Sequence, residues 1–152
     1  MRNDAAKGVE TPEIELILPA RAENVAVVRH ALGALGETLD VDSRTLSDLK
    51  LAVTEACTNV VVHAYNGEEG PMEVAASIDS ESALEVVVRD NGPGITPRAD
   101  SPGLGLGLPL IATLTDSVEL SRNPKDQTEV RMIFRLDEVE DDSWAPEDAP
   151  AA

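Results

Sequence analysis

The hydrophobic patterns of this chain predict an α+β two-layer sandwich, a mixed and mostly antiparallel sheet with helices laid on one face. Three observations lead there. Strand-like alternations mostly follow one another instead of alternating with helices. Two stretches with a helical apolar period sit together between the first strand pattern and the rest. With 152 residues and 42% hydrophobic side chains there is enough for one core, and a single Phe, Tyr and Trp require that core to be aliphatic.

Taken in order, residues 1–12 are polar and expected to fray. Glu13–Pro19 alternates, with Ile14, Leu16 and Leu18 on one side, and Pro19 ends the strand. From Arg21 to about Leu39, the positions Val25, Val28, Leu32, Leu35 and Leu39 suit an amphipathic helix. Gly33 and Gly36 weaken it by about 1 kcal/mol each relative to Ala. After Asp40-Val41, either Asp42 or Ser43 is a suitable N-cap for a second helix, expected to run to about Ala64. Its apolar stripe is Leu49, Val53, Ala56, Cys57, Val60, Val61 and Ala64. Tyr65–Pro71 is rich in turn residues.

Met72, Val74, Ala76 and Ile78 alternate, and a second run, Leu84–Arg89, follows Asp79-Ser80-Glu81-Ser82, which predicts an antiparallel hairpin with Asp90 just past its end. Asn91–Pro102, with three prolines and two glycines, is expected to be irregular. Gly107–Thr115 reads as a short helix with Pro109 in its first turn. Val118–Leu120 is a short strand and Ser121–Thr128 a polar turn. Glu129–Leu136 is a final strand placing Val130, Phe134 and either Ile133 or Met132 in the core. One folded unit over 13–136 is therefore expected, followed by an acidic, Pro/Ala-rich disordered tail over 137–152 in which Trp144 has no evident role. There is no internal repeat.

The formal net charge is −17, and seven of the acids lie in the tail; without them 22 acids still face 12 bases, or −10. Such a surface repels phosphate backbones, so a nucleic-acid partner is not expected, whereas a basic protein surface fits. No run approaches the roughly 18 apolar residues of a membrane span. The first residues lack the apolar core of a secretory signal. The one cysteine, Cys57, lies on an apolar helix face and has no partner for an internal disulfide. Together these predict a cytoplasmic protein without membrane contact.

Three polar clusters carry the chemistry. Glu55 and Asn59 interrupt the second helix four residues apart, one above the other, so a carboxylate and an amide can meet one ligand. In Asp90-Asn91-Gly92-Pro93-Gly94 the carboxylate can accept a hydrogen bond from an exocyclic amine while the glycines bring backbone close to a flat ring. In Gly103-Leu104-Gly105-Leu106-Gly107, directly before a helix, free N–H groups can cradle phosphate. The spacing is neither that of a dinucleotide fingerprint nor that of a P-loop. Each cluster alone has an ordinary reading, as a surface pair, a turn and a hinge. Together they describe a site for a metal-bound triphosphate, Asn59 offering a carbonyl oxygen to Mg²⁺ and Glu55 polarising the group that attacks the γ-phosphate. His30 and His63 read as structural. Neither is placed like a phospho-acceptor and no long helical hairpin carries one, which argues against a complete sensor histidine kinase.

At these residues the chain resembles a known family. Glu55-Ala56-Cys57-Thr58-Asn59 with His63-Ala64-Tyr65 resembles the N-box of the GHKL (Bergerat-fold) ATPases, Asp90–Ile95 their G1 box, and Gly103–Ile111 their G2 box. Within that superfamily the motifs look most like the anti-sigma factor serine/threonine kinases of the RsbW and SpoIIAB type, over about Ile14 to Leu136. The resemblance implies that Glu55 is the catalytic base and Asn59 the Mg²⁺ ligand. It implies that Asp90 holds the adenine amine, that Gly92 and Gly94 pass the base, and that Gly103, Gly105 and Gly107 line the phosphates. Thr128 matches a family threonine near the adenine. The implied cofactors are ATP and Mg²⁺. The implied partners are a sigma factor and a STAS-type anti-anti-sigma protein phosphorylated on Ser or Thr, with a homodimer common in the family.

Two departures from the family pattern keep an alternative open. The segment between the second and third motifs is short, Thr96–Pro102, with Arg98 its only base. Gln127-Thr128 also stands where the family often has Gly-Thr. A short lid covers less of the γ-phosphate. That would suit a non-catalytic, ATP-binding partner-switch module that sequesters a sigma factor or other regulator. A domain whose glycine loops are only hinges, with no nucleotide, is the third reading.

Overall fold

The computed structural model describes residues 13–93 and 104–136, with backbone only at 104–107. The elements are β1 (Ile14–Pro19), α1 (Ala22–Thr38), α2 (Ser43–Asn59) running into a π-helical turn (Val60–Ala64), β2 (Pro71–Ile78), β3 (Ala83–Asp90), α3 (Leu104–Leu114), β4 (Ser117–Arg122) and β5 (Thr128–Arg135). The strands form one sheet in the order β1-β2-β3-β5-β4, and all four pairings are antiparallel. This is the predicted α+β layering.

Register makes the two faces of the sheet chemically different. Leu16, Val74, Val88, Val130 and Leu120 stand side by side across the five strands, and the next row is Ile14, Ala76, Val86, Met132 and Val118. Both rows face the helices, where Val28, Leu32, Leu49, Val53 and Cys57 complete a fully buried aliphatic core. Met132 rather than Ile133 therefore belongs to that core. The opposite face carries ions: Arg89 Nε donates to Glu129 Oε2 at 2.7 Å, and Arg131 pairs with both Glu85 (2.9 Å) and Glu129 (3.2 Å).

Gly36 does more than weaken α1. A Cβ at Gly33 would lie 2.7 Å from Lys50 Cε, and one at Gly36 2.5 Å from Leu46 Cδ1. Gly36 lets α1 approach α2 closely, and that packing offsets its poor helix propensity, whereas Gly33 faces only the flexible end of Lys50. Of the two candidate caps it is Asp42 that works: its carboxylate accepts from Thr45 N at 2.8 Å, and Ser43 is already helical.

Several boundaries differ from the expectation. The second helix keeps α geometry only to Asn59; from Val60 it widens to a π turn, a local change often found beside functional sites. Asp90 is the last residue of β3 and not the first after it. α3 begins at Leu104, so Gly105 and Gly107 lie inside the helix and not ahead of it, and Pro109 falls in the helix interior. β4 extends to Arg122 because the following turn is shorter than expected. There Asn123 Oδ1 accepts from Lys125 N at 2.9 Å and from Gln127 N at 3.0 Å, folding five residues tightly. The N-terminal 1–12, the lid Thr96–Pro102 with Arg98, the tail 137–152 with Trp144, and the glycines Gly94 and Gly103 lie outside the described residues.

Candidate functional site

At one end of the sheet the apolar rows give way. The next row on the helix-facing side is Leu18, Met72, Asp90, Thr128 and Arg122. Leu18 and Met72 continue the core, and the other three are polar. Opposed residues in an antiparallel pair have Cβ atoms about 5 Å apart, so Thr128 stands between Asp90 and Arg122 within reach of both.

Asp90 is only 8% exposed and Thr128 only 4%. Asp90 Oδ1 accepts from Gly92 N at 2.9 Å, and among the described residues nothing donates to Oδ2. Burial raises the Asp90 carboxyl above the usual carboxylate range, opposed by the Gly92 N–H and by the nearby charge of Arg122. A buried carboxylate with one oxygen to spare suits a ligand that donates, such as an exocyclic amine.

Gly92 is required by a close approach. A Cβ there would run into the carbonyl oxygen of Ala64 and lie 3.0 Å from its carbonyl carbon. The end of β3 is thus pressed against the end of the π turn. Tyr65 locks the junction: its hydroxyl donates to the Pro71 carbonyl and accepts from Asn91 N at 2.7 Å. Gly70 makes room for the Tyr65 ring, which a Cβ at that position would strike. Three chain segments therefore meet at Tyr65: the turn after α2, the start of β2 and the residue after Asp90.

Glu55 and Asn59 are half-buried on α2. The flank of α2 carrying Lys50 and Thr54 is covered by α1, through Gly33 against Lys50 and through Arg29 Nη1 donating to Thr54 Oγ1 at 3.4 Å. At about 100° per residue, Glu55 and Asn59 fall on the opposite flank, left to α3, which also packs on α2. Asn59 is the last α-helical residue, immediately before the turn that meets Gly92. The carboxylate–amide couple and the Asp90 turn thus belong to one end of the molecule. Gly105 and Gly107 are in the first turns of α3, where N–H groups have no helical acceptor, and Pro109 has no N–H to give the Gly105 carbonyl. Gly94 and Gly103 lie outside the described residues.

Two residues at this end were not singled out from the sequence. Arg122 Nη1 donates to Thr128 Oγ1 at 2.9 Å and to the Gly92 carbonyl at 3.2 Å; Nη2 donates to Asp126 Oδ1 at 2.7 Å and to its carbonyl at 2.8 Å. Its signal was present, since Val118, Leu120 and Arg122 share one alternation. Gln127, noted only as a departure, ties strand ends together on the ionic face. Its Nε2 donates to Glu73 Oε2 and Asn91 Oδ1, both at 2.9 Å, and its Oε1 accepts from Asn123 Nδ2 at 2.9 Å.

Among the described residues no group of three or more His, Cys, Asp or Glu could hold a metal, and no helix is long and apolar enough to cross a membrane. The donor set fits a cation that arrives with a phosphate ligand: one neutral amide oxygen at Asn59 supplies a single site and leaves the rest of the shell to phosphate and water. His30 is exposed on α1 and His63 half-buried in the π turn. Cys57 is a core residue, its thiol pushed up to about 12 by burial.

Comparison with known proteins agrees with this geometry. Residues 18–134 match the family model of the histidine kinase-like ATPase domain. The chain is 30% identical over 145 residues to serine-protein kinase RsbW of Bacillus thuringiensis (strain Al Hakam), covering 86% of this chain and 90% of that one, and the same holds for serine-protein kinase RsbW of Bacillus anthracis. Among solved structures, the RsbU and RsbW domains of Rv1364c from Mycobacterium tuberculosis superpose with a TM-score of 0.63 at 21% identity, over 82% of this chain and 33% of that one. The SiaB–SiaC complex from Pseudomonas aeruginosa gives 0.60 at 16% identity, over 81% and 91%. At those identities the superpositions speak for the fold.

Proposed function

We propose, from the premise that this chain belongs to the histidine kinase-like ATPase domain family and to the relatives of serine-protein kinase RsbW, that it is an ATP-dependent protein serine/threonine kinase. It acts as an anti-sigma regulatory factor, and its substrate is a Ser or Thr on a STAS-type anti-anti-sigma partner. The observation that carries this reading is the polar end of the helix-facing sheet surface. There a buried acceptor, Asp90, and a buried hydroxyl, Thr128, stand in register beside the end of the helix that bears Glu55 and Asn59.

In this reading Asp90 Oδ2 accepts the exocyclic amine of adenine, while Gly92 keeps the turn low enough against Ala64 for the base to enter. Asn59 offers its carbonyl oxygen to Mg²⁺, and the N–H groups at the start of α3, around Gly105 and Gly107, receive phosphate oxygens. The motifs that Gly94 and Gly103 belong to give them the same two parts. Bound Mg²⁺ neutralises charge on the transferring phosphoryl group. Glu55 takes the proton of the partner's hydroxyl as that oxygen bonds to the γ-phosphorus and the bond to the β-phosphate oxygen breaks, releasing ADP. Glu55 is only half-buried, on the flank of α2 away from α1, which leaves part of it for a protein substrate. An acidic surface, at −17 formal charge, suits docking to a basic patch on the sigma factor. The setting is cytoplasmic, and a homodimer is the expected assembly.

The test is phosphotransfer. Incubation with γ-labelled ATP, Mg²⁺ and a STAS protein encoded nearby should label that protein on Ser or Thr, and Glu55→Ala should abolish labelling while retaining nucleotide. Equal labelling by Glu55→Ala rejects Glu55 as the base. Nucleotide binding with no labelled partner, and unchanged partner capture by Glu55→Ala, would instead identify a non-catalytic switch module.

A further inference from the structure

We propose that Arg122 is a positioning residue that makes the base end of this site read adenine and turn guanine away. The inference deepens the nucleotide-binding reading above and rests on it. It starts from a polarity argument about three side chains standing side by side on β3, β5 and β4: Asp90, Thr128 and Arg122.

A guanidinium is always charged, donates only, and holds its N–H groups in a rigid plane. Arg122 uses both of its terminal nitrogens. Nη2 is anchored on the β4–β5 turn by Asp126 Oδ1 at 2.7 Å and the Asp126 carbonyl at 2.8 Å. Nη1 then reaches the Gly92 carbonyl at 3.2 Å and Thr128 Oγ1 at 2.9 Å. One arm is fixed by the turn and the other is aimed into the row.

The consequence falls on Thr128. A hydroxyl can donate or accept, and it rotates to suit. With its oxygen accepting from Arg122 on one side, its own proton is turned away from Arg122. No described residue receives it, and the in-register neighbour on that other side is Asp90. Asp90 Oδ1 accepts the Gly92 N–H at 2.9 Å, so Asp90 is oriented as an acceptor. The pair therefore presents an ordered pattern, acceptor at Asp90 and donor at Thr128. Adenine offers the complement, an exocyclic N–H₂ donor beside a ring-nitrogen acceptor. Guanine carries an oxygen acceptor where adenine carries the amine, beside a ring N–H donor, which reverses the pattern.

Arg122 acts on both members of the pair. It fills one of the two accepting positions of the Thr128 hydroxyl and keeps its proton turned away from Arg122, and its charge opposes the upward pull of burial on the Asp90 carboxyl. Without it the hydroxyl is free to turn its oxygen toward a ring N–H, and Asp90 more readily holds a proton that it could donate to a guanine oxygen. Both changes favour the wrong base.

The experiment is calorimetric titration of the full chain with ATP and with GTP, each with Mg²⁺, for the wild type, Arg122→Met and Arg122→Lys. Methionine keeps an apolar stem and removes every donor. Lysine keeps the charge but lacks the fork that spans Gly92 and Thr128. The wild type should prefer ATP. Arg122→Met should lower the ATP:GTP affinity ratio by about tenfold or more, through weaker ATP and unweakened GTP, with Arg122→Lys in between. Equal weakening of both nucleotides would make Arg122 a merely structural residue and overturn the proposal, as would unchanged affinities. If Arg122→Met fails to fold, the ratio in Arg122→Lys decides by the same criterion. A wild type that binds neither nucleotide removes the nucleotide reading itself; a wild type that binds ATP, with a ratio unmoved in the variants, removes this inference alone.

Discussion

Replacing Gly92 by alanine tests the junction on which the site depends. The added Cβ would overlap the Ala64 carbonyl oxygen and lie 3.0 Å from the carbonyl carbon and 3.1 Å from Asp90 Oδ1. Ordinary contact between carbons is about 3.5 Å or more, so the two backbones must part by roughly 1 Å. Neither can yield cheaply. Ala64 is followed by Tyr65, whose hydroxyl holds Asn91 N at 2.7 Å, and Asp90 Oδ1 already bonds the Gly92 N–H. Overpacking of this kind costs about 1–3 kcal/mol. Gly92 does not have a positive φ, since the only described glycine that does is Gly67. The substitution therefore gains up to about 1 kcal/mol from a stiffer unfolded chain. The net loss should be about 1–2 kcal/mol, visible as a melting point lower by about 5 °C. A shift of about 1 Å at a binding end can also cost on the order of 100-fold in function. Thermal melts by circular dichroism and ATP titration of the same preparations measure both. Gly67→Ala is the contrast: nothing lies within 4 Å of its Cβ but φ is +87°. It should lose about 1 kcal/mol from strain and bind ATP normally. If Gly92→Ala melts and binds like the wild type, the Ala64 contact does not fix this end of the sheet.

The buried Asp90 carboxyl is raised by burial, so the fold holds its proton more tightly than the unfolded chain does. The cost of the ionised form is complete above the folded value and falls away as pH drops through it. Asp90→Asn keeps the Gly92 bond without the charge. It should therefore unfold at higher urea than wild type near pH 7–8, with the gap closing in acid. It should also lose about tenfold or more in ATP affinity, because an amide N–H₂ would face the adenine amine; a less stable Asp90→Asn at neutral pH would refute the burial argument. On α1 the two glycines should separate. Gly33→Ala meets the mobile tip of Lys50 at 2.7 Å and should gain up to about 1 kcal/mol of helix propensity. Gly36→Ala meets Leu46 Cδ1 at 2.5 Å with Leu49 behind it at 3.8 Å and should lose about 1 kcal/mol. Urea midpoints in the reverse order would show that the packing of α1 on α2 is misjudged.

Much of this architecture was readable before any coordinates. Period-two alternation located β1 and β2, an apolar run between turn residues located β3, which is buried on both faces, and the polar Asp90 at the end of that run marked where the core gives out. Periodicity could not reveal the π turn, since Val60, Val61 and Ala64 are apolar under either winding. The start of α3 was missed because glycines argue against a helix and Pro109 argues for a first turn, yet the helix begins five residues before Pro109. β4 looked short because Glu119 and Ser121 face the ionic side. Its true end at Arg122 depends on Asn123 folding the next turn onto itself, a side-chain effect with no periodic trace. The spacing of Glu55 and Asn59 placed them together on one helix, but which flank they occupy depends on where α1 lies. Thr128 was reached only by resemblance, since one threonine at a strand start is indistinguishable from any other until Asp90 and Arg122 stand beside it.

The order of the strands has one more consequence. The sheet joins the strands β1-β2-β3 to a two-strand ribbon, β4-β5, along a single seam between β3 and β5. The hairpins β2-β3 and β4-β5 close locally in the chain; the seam must wait for α3 to cross over, and like the β1-β2 pairing across the two helices it carries a long-range loop-closure cost. Asp90 belongs to one side of it and Thr128 to the other. A ligand gripped by both would act as a clasp across that long-range joint, and at a hundredfold excess over its dissociation constant it would add about 2.7 kcal/mol to the whole fold. If the proposed nucleotide site holds, nucleotide occupancy and the integrity of the sheet are linked equilibria.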